Sequence, residues 1–273
     1  MLKVNMFLLE LQQYIRVLNK LLMGIYAISY FKYRFDFMRF ISFFFFFLFF
    51  KSFSQVEKPL NYRRFDEKKI HFGFMLGANT SSFTVYQKIN NYKEYGLKSL
   101  NIKSSPGGQL GIVSTLKIGT PVVRLRLIPT LSFQERVLTY QFENVDDLQN
   151  DIFNEERINS TNLDFPLMFQ FRTLRINNFA AYTLIGAQYS TDLQSQEDAS
   201  QDFNDPFIKI KQHDIQGQIG GGIEFFAPFF KFGIEIKYSH GFINSFVPDN
   251  TYISQPIEST YNRGWWFSII FEG

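Results

Sequence analysis

The 273 residues include no cysteine, three histidines and two tryptophans. The lack of thiols excludes disulfides, thiol chemistry and a lipid-bearing cysteine anchor. No stretch reaches the run of about 18 apolar residues that a membrane-spanning helix requires. No phosphate-binding glycine loop, dinucleotide fingerprint or zinc spacing is present. A net charge of +3 is too small to point to nucleic acid. What the chain does have is aromatic residues, 19% of the total, with 35 phenylalanines among them. Many aromatics without one long apolar run is the composition of strands that are apolar on a single face.

Residues 229–241 show that pattern best. Phe230, Phe232, Ile234, Ile236 and Tyr238 alternate with Lys231, Gly233, Glu235, Lys237 and Ser239. A side-chain period of two is a strand. Bulky apolar groups opposite charged or small ones suit a wall between hydrocarbon and a narrow polar interior. The alternation recurs over 71–83, 109–118, 122–142, 161–173, 179–190, 215–226 and 264–271, which makes eight strands. It is weakest over 179–190, where Tyr182 and Leu184 fall opposite Ile185 and Tyr189. The connections alternate too. Those at 84–108, 143–160, 191–214 and 242–263 are long; those at 119–121, 174–178 and 227–228 are short. Long loops outside and tight turns in the periplasm are the outer-membrane pattern.

The expected fold is therefore an all-β, eight-stranded, antiparallel transmembrane (outer-membrane) β-barrel over 70–273, with an interior just filled by side chains. A soluble barrel of eight strands would have to pack the bulky apolar faces of all its strands inside, where there is little room. Upstream, Met38-Arg39, the apolar run 40–50 and the small residues Ser52 and Ser54 read as a signal peptide over 38–54, leaving Gln55 as the mature N-terminus. Residues 1–37 read as an upstream extension of the reading frame, with a cytoplasmic leader as the alternative. Residues 55–69 read as a polar periplasmic linker.

The inward face carries Arg124, Arg126, Asp164, Arg172, Glu224, Lys231, Glu235 and Lys237, with Lys117 near the turn end. Unpaired charge in a narrow interior is costly, so a network is expected. Arg124 or Arg126 should meet Asp164, and Glu224 or Glu235 should meet Lys231 and Arg172. Such a lumen is plugged, not open. Sliding the third strand by one residue would turn Arg124 and Arg126 into lipid at about 2–4 kcal/mol each, which fixes the register.

Folding the hairpin about Ala227-Pro228 sets His240 opposite Ile215, near His213 and Asp214 at the outer rim. A His/Asp group there resembles that of outer-membrane proteases. No second acidic pair and no serine with a base accompanies it, so no catalytic residue is assigned and no enzyme is expected. Asp192, Glu197, Asp198, Asp202 and Asp205 offer oxygen ligands without a calcium-loop spacing. No metal, cofactor or small-molecule substrate is expected. Lys88, Lys93, Lys98 and Lys103, interleaved with Tyr86, Tyr92 and Tyr95, could meet lipopolysaccharide phosphate or a protein partner.

One series of residues resembles the PorT family of Bacteroidetes outer-membrane proteins. It starts at Phe65-Asp66-Glu67-Lys68-Lys69-Ile70-His71-Phe72-Gly73-Phe74-Met75-Leu76-Gly77. It continues through Leu110-Gly111-Ile112-Val113, Ile128-Pro129-Thr130-Leu131-Ser132-Phe133, Leu163-Asp164-Phe165-Pro166-Leu167, Asn177-Asn178 and the stretch 228–241. The resemblance spans roughly 65–271, the whole expected barrel. It implies a non-enzymatic component of the type IX secretion system, which exports proteases, adhesins and gliding-motility proteins, with other components of that system as partners. The competing expectation is a stand-alone surface barrel, an adhesin or a lipid-binding protein.

Overall fold

The computed structural model describes residues 60–62, 64–88, 96–143, 152–200 and 206–273. The expected upstream extension and signal segment lie outside the described residues. A short helix, α1 (Arg64–Glu67), precedes nine strands among the described residues: β1 (Ile70–Gln87), β2 (Leu97–Lys117), β3 (Val123–Leu127), β4 (Thr130–Phe142), β5 (Ile152–Arg172), β6 (Phe179–Asp192), β7 (His213–Phe226), β8 (Lys231–Gly241) and β9 (Ile257–Glu272). Every neighbouring pair is antiparallel, and β1 bonds both β2 and β9. The sheet is thereby a closed barrel with no free edge along its main wall.

Nine strands make eight staves, because β3 and β4 lie in line between β2 and β5. The stave expected as one strand over 122–142 breaks at Ile128-Pro129. Proline has no N–H to give to the ladder. Its carbonyl accepts from Ile112 across one side of the gap, while the Ile128 N–H donates to the Pro166 carbonyl across the other.

The period-two pattern sets the faces as expected. Phe72, Phe74, Leu76, Ile112, Phe169, Ile185, Ile219, Ile234 and Phe267 are exposed on the outside. Arg124, Arg126, Asp164, Glu224 and Glu235 are buried on the inside. Tyr182 and Leu184 of β6 are buried in the interior as well, so the weakest stretch of alternation keeps the same phase. Rings cluster low on the outer wall, where Phe271 stacks on Phe74 at 4.9 Å and meets Phe232 at 5.4 Å.

Two expectations about length and register do not hold. The strands run well beyond the stretches of clear alternation at the loop end: β2 starts at Leu97, β5 at Ile152 and β9 at Ile257. The weak alternation of 97–108 is broken by Ser105-Pro106-Gly107-Gly108, where the β2–β4 register shifts between Ser104 and Gly108. The β7–β8 turn also takes in Phe229 and Phe230, with the Ala227 N–H donating to the Phe230 carbonyl. The ladder therefore begins at Phe226 opposite Lys231, which places His240 opposite Gly217 and not Ile215.

Candidate functional site

The interior is filled in three layers above a plug at the turn end. At the turn end, α1 inserts Phe65, which is fully buried, against the His71 ring at 3.7 Å. Arg124 and Lys231 lie over the Phe65 ring at 5.0 and 4.8 Å. The next residue, Asp66, accepts from Arg124 at 3.1 Å and Arg172 at 2.7 Å and is ion-paired with Arg175 at 2.8 Å. Of the stretch read as a linker, Asn61, Tyr62, Phe65 and Asp66 are thus packed into and across the mouth. Asn61 is tied to the Asn178 side chain and the Phe226 carbonyl, and Lys117 donates to the Asp66 carbonyl. Burial pushes the Asp66 carboxyl upward. The Arg172 hydrogen bond and the charges of Arg172, Arg175 and Arg124 outweigh it and hold the group below the usual carboxylate range. Burial brings the Arg175 guanidinium down to about 10 even beside Asp66.

Above the mouth lies a dense ionic cluster. Arg126 donates to Glu235 at 2.8 Å and stands 3.6 Å from Glu272 and 3.8 Å from Glu224. Lys231 joins Glu224 at 2.8 Å and also contacts Glu272. Arg172 links Glu224 to Asp66, and Lys237 meets Glu235 at 3.1 Å. Neutral groups complete the coordination: Tyr182 donates to Glu235, Gln170 to Glu224 and Thr115 to Glu272. Tyr182 crosses the lumen because Gly222 faces it. A Cβ at that position would lie 2.5 Å from both the Tyr182 hydroxyl and the Ile234 carbonyl oxygen.

The middle layer exchanges ion pairs for amides and hydroxyls. Asp164 accepts from Ser132 at 2.7 Å and Ser190 at 2.6 Å. Arg136 donates to Gln134 and Ser160, and Asp214 accepts from Gln216 and Asn262. At the loop end the interior turns apolar. Phe83, Leu97, Leu100, Leu138, Tyr140 and Ile158 pack with Ile208, Phe246, Ile253 and Ile257 from the overlying loops and β9.

Of the expected lumen residues, Arg126, Arg172, Glu224, Lys231, Glu235 and Lys237 meet in one cluster, and Arg124 joins through Asp66. Asp164 does not meet Arg124 or Arg126. It sits a layer higher between two serines, so the proposed arginine–Asp164 pair is corrected to Arg124 with Asp66 and Arg126 with three glutamates. Four charged members were missed. Glu272 lies one residue past the strand boundary drawn at 271, and Asp66 and Arg175 lie outside strands altogether. Arg136 was within the 122–142 stretch at the inward parity, and that parity was the signal. At the rim His213 points outward to the Tyr189 hydroxyl at 2.9 Å, while Asp214 points inward. His240 stacks on Tyr261. The two histidines and Asp214 form no common site, and among the described residues no group of acidic or histidine side chains has metal-binding geometry.

A closed wall that is apolar outside and polar within is that of a transmembrane β-barrel. Residues 53–247 match the model of the outer membrane protein beta-barrel domain family, and the chain belongs to that family. It is a protein of the outer membrane, with the tight turns on the periplasmic side and the long loops outside. Two solved structures are similar to it. The outer membrane protein OprG of Pseudomonas aeruginosa is 15% identical with a TM-score of 0.40, over 75% of this chain and 95% of that one. Ail, the attachment invasion locus protein of Yersinia pestis, is 12% identical with a TM-score of 0.33, over 76% of this chain and all of the other. No curated protein matches the sequence.

Proposed function

We propose that this chain is a stand-alone, non-enzymatic outer-membrane barrel that conducts nothing and acts at its extracellular end, as an adhesin or lipid-binding surface protein. One observation carries the reading: the lumen is occupied from the Phe65 plug through the Arg126 cluster to the Leu138–Tyr140 core, so the wall and the loop end are what remain for partners. The extracellular parts of β2, β4 and β5 stand clear of the apolar band and turn Lys103, Glu135, Glu155 and Arg157 to solvent. Such a mixed-charge sheet suits a polar partner. The same filling argues against channel activity, and purified protein in planar bilayers should give no steady conductance.

A second reading, a PorT-like component of type IX secretion, is favoured by the ordered series of residues described above. Its first members, Phe65 and Asp66, form the periplasmic plug, where a periplasmic partner could act. Gene deletion separates the two. Loss of surface attachment with normal export of cargo supports the surface protein; loss of export supports the secretion component and removes the first reading.

A further inference from the structure

We propose that the outer wall formed by β1, β8 and β9 carries a binding site for a phosphorylated glycolipid of the outer leaflet, with the phosphate over Arg263 and an acyl chain in the groove beneath it. The inference rests on the barrel's place in the outer membrane and not on the surface role proposed above. Outward-facing residues of β9 descend in the order Arg263, Trp265, Phe267 and Ile269. That order runs from headgroup to hydrocarbon chemistry on a single strand.

The ladders supply neighbours at each level. Ser82 lies opposite Arg263, Thr80 opposite Trp265, and Ala78 opposite Phe267 on β1. On β8, Tyr238 lies opposite Trp265, Ile236 opposite Phe267 and Ile234 opposite Ile269. Two recesses follow from these positions. The upper one, about 220 Å³, is lined by Arg263, Trp265, Tyr238, Thr80 and Ser82, with Ile102 and Ser104 of β2 at its side. The lower one, about 550 Å³, is an open groove between Ala78, Ile223, Ile234, Ile236, Phe267 and Ile269. Two residues of strand separate the levels, about 7 Å along the chain.

The upper recess has the chemistry of a phosphate site. Arg263 is exposed, and among the described residues no carboxylate pairs with it. A guanidinium at the interface is free to fork onto phosphate oxygens, and the hydroxyls of Thr80, Ser82 and Ser104 add donors. Trp265 and Tyr238 hold the boundary between headgroup and chain, as aromatic belts do. The lower groove offers almost entirely apolar surface, which a sugar or a peptide would leave unsatisfied and an acyl chain would not. A phosphorylated lipid is the occupant that uses both levels at once.

The test uses the full chain purified in detergent, with native mass spectrometry as the readout. The probes are diphosphoryl lipid A, the same lipid dephosphorylated, and phosphatidylglycerol. The wild type should bind diphosphoryl lipid A in preference to the other two. Arg263→Ala should weaken that binding about tenfold, the size of one charge-assisted contact. Ala78→Phe, which fills the groove from a lipid-facing position, should weaken it with the barrel still folded by its heat-modifiable migration. Equal affinity of the wild type for the dephosphorylated lipid or for phosphatidylglycerol overturns the assignment, and so does unchanged binding by folded Arg263→Ala.

Discussion

The same inward-facing rows of side chains serve two opposite purposes at the two ends of this barrel. Along β4 the interior positions read Ser132, Gln134, Arg136, Leu138 and Tyr140, all buried. In the membrane band the outside is hydrocarbon, so the polar set is inside. Above the band the outside is water and the loops close overhead, so the interior becomes an ordinary apolar core. On the outer face the sequence makes a weaker reverse change, from Leu131 and Phe133 to Glu135, Val137 and Thr139. What inverts is the surrounding solvent, while the strand keeps its phase. The lower half is thus held by ion pairs and the upper end by dispersion and the hydrophobic effect, and each should fail in its own way.

The largest effect is expected below. Arg126→Met leaves Glu235, Glu224 and Glu272 short of their shared cation in an interior that excludes water. Breaking a buried pair from one side costs about 3–5 kcal/mol, read as a lowered urea midpoint for the barrel in lipid vesicles. Above, Leu138→Ala empties part of a core in which Leu138 is fully buried, at a cost of about 3 kcal/mol. That loss should appear as faster hydrogen exchange over 97–104 and 136–142 with the band below unchanged. If Leu138→Ala loosened the whole barrel equally, the division into two separately held ends would be wrong.

How much of this the sequence carried follows the same division. In the band, one face meets hydrocarbon and the other a polar lumen, so alternation located the wall of all eight staves and most of the inward cations, with the β7–β8 turn drawn two residues too short. Above the band the contrast is weaker and is interrupted at Ser105-Pro106-Gly107-Gly108, so 97–108 read as loop. The pairing within the cluster was not legible. It depends on barrel stagger, which decides that Arg126 reaches Glu272 across the lumen while Asp164 stays a layer above. The plug was hidden for another reason: Phe65 and Asp66 lie in a charged stretch with no period, and only the closed mouth gives them partners.

A smaller effect tests the packing between these layers. Gly222 leaves room for Tyr182 to reach Glu235, and a methyl there would meet the tyrosine ring and a ladder carbonyl oxygen together. Gly222→Ala should destabilise the barrel by about 1–3 kcal/mol, the usual range for overpacking. Pairing it with Tyr182→Phe should leave most of that loss in place, because the Ile234 carbonyl oxygen would still be 2.5 Å away. A double variant as stable as wild type would mean that the tyrosine hydroxyl alone sets the requirement for glycine.

The smallest expected effect lies at the mouth and depends on pH. Asp66 titrates below its ordinary value in the folded protein because three arginines face it. A carboxylate with a depressed folded pKa adds stability that is present in full above its unfolded value of about 3.9 and is lost as pH falls through the folded value. Arg175, brought down only to about 10, stays charged throughout that window and does not compensate. Below about pH 4 the α1 plug should therefore loosen, seen as a falling protection factor for the amides of 64–67 relative to the unfolded peptide. The apolar core above owes nothing to an ionised carboxylate and should hold its protection over the same range. Asp66→Asn should show the loosened mouth already at pH 7, by about 1 kcal/mol, and should lose the acid dependence. Persistence of the acid step in Asp66→Asn would assign it to another carboxylate of the lumen and remove Asp66 as the latch.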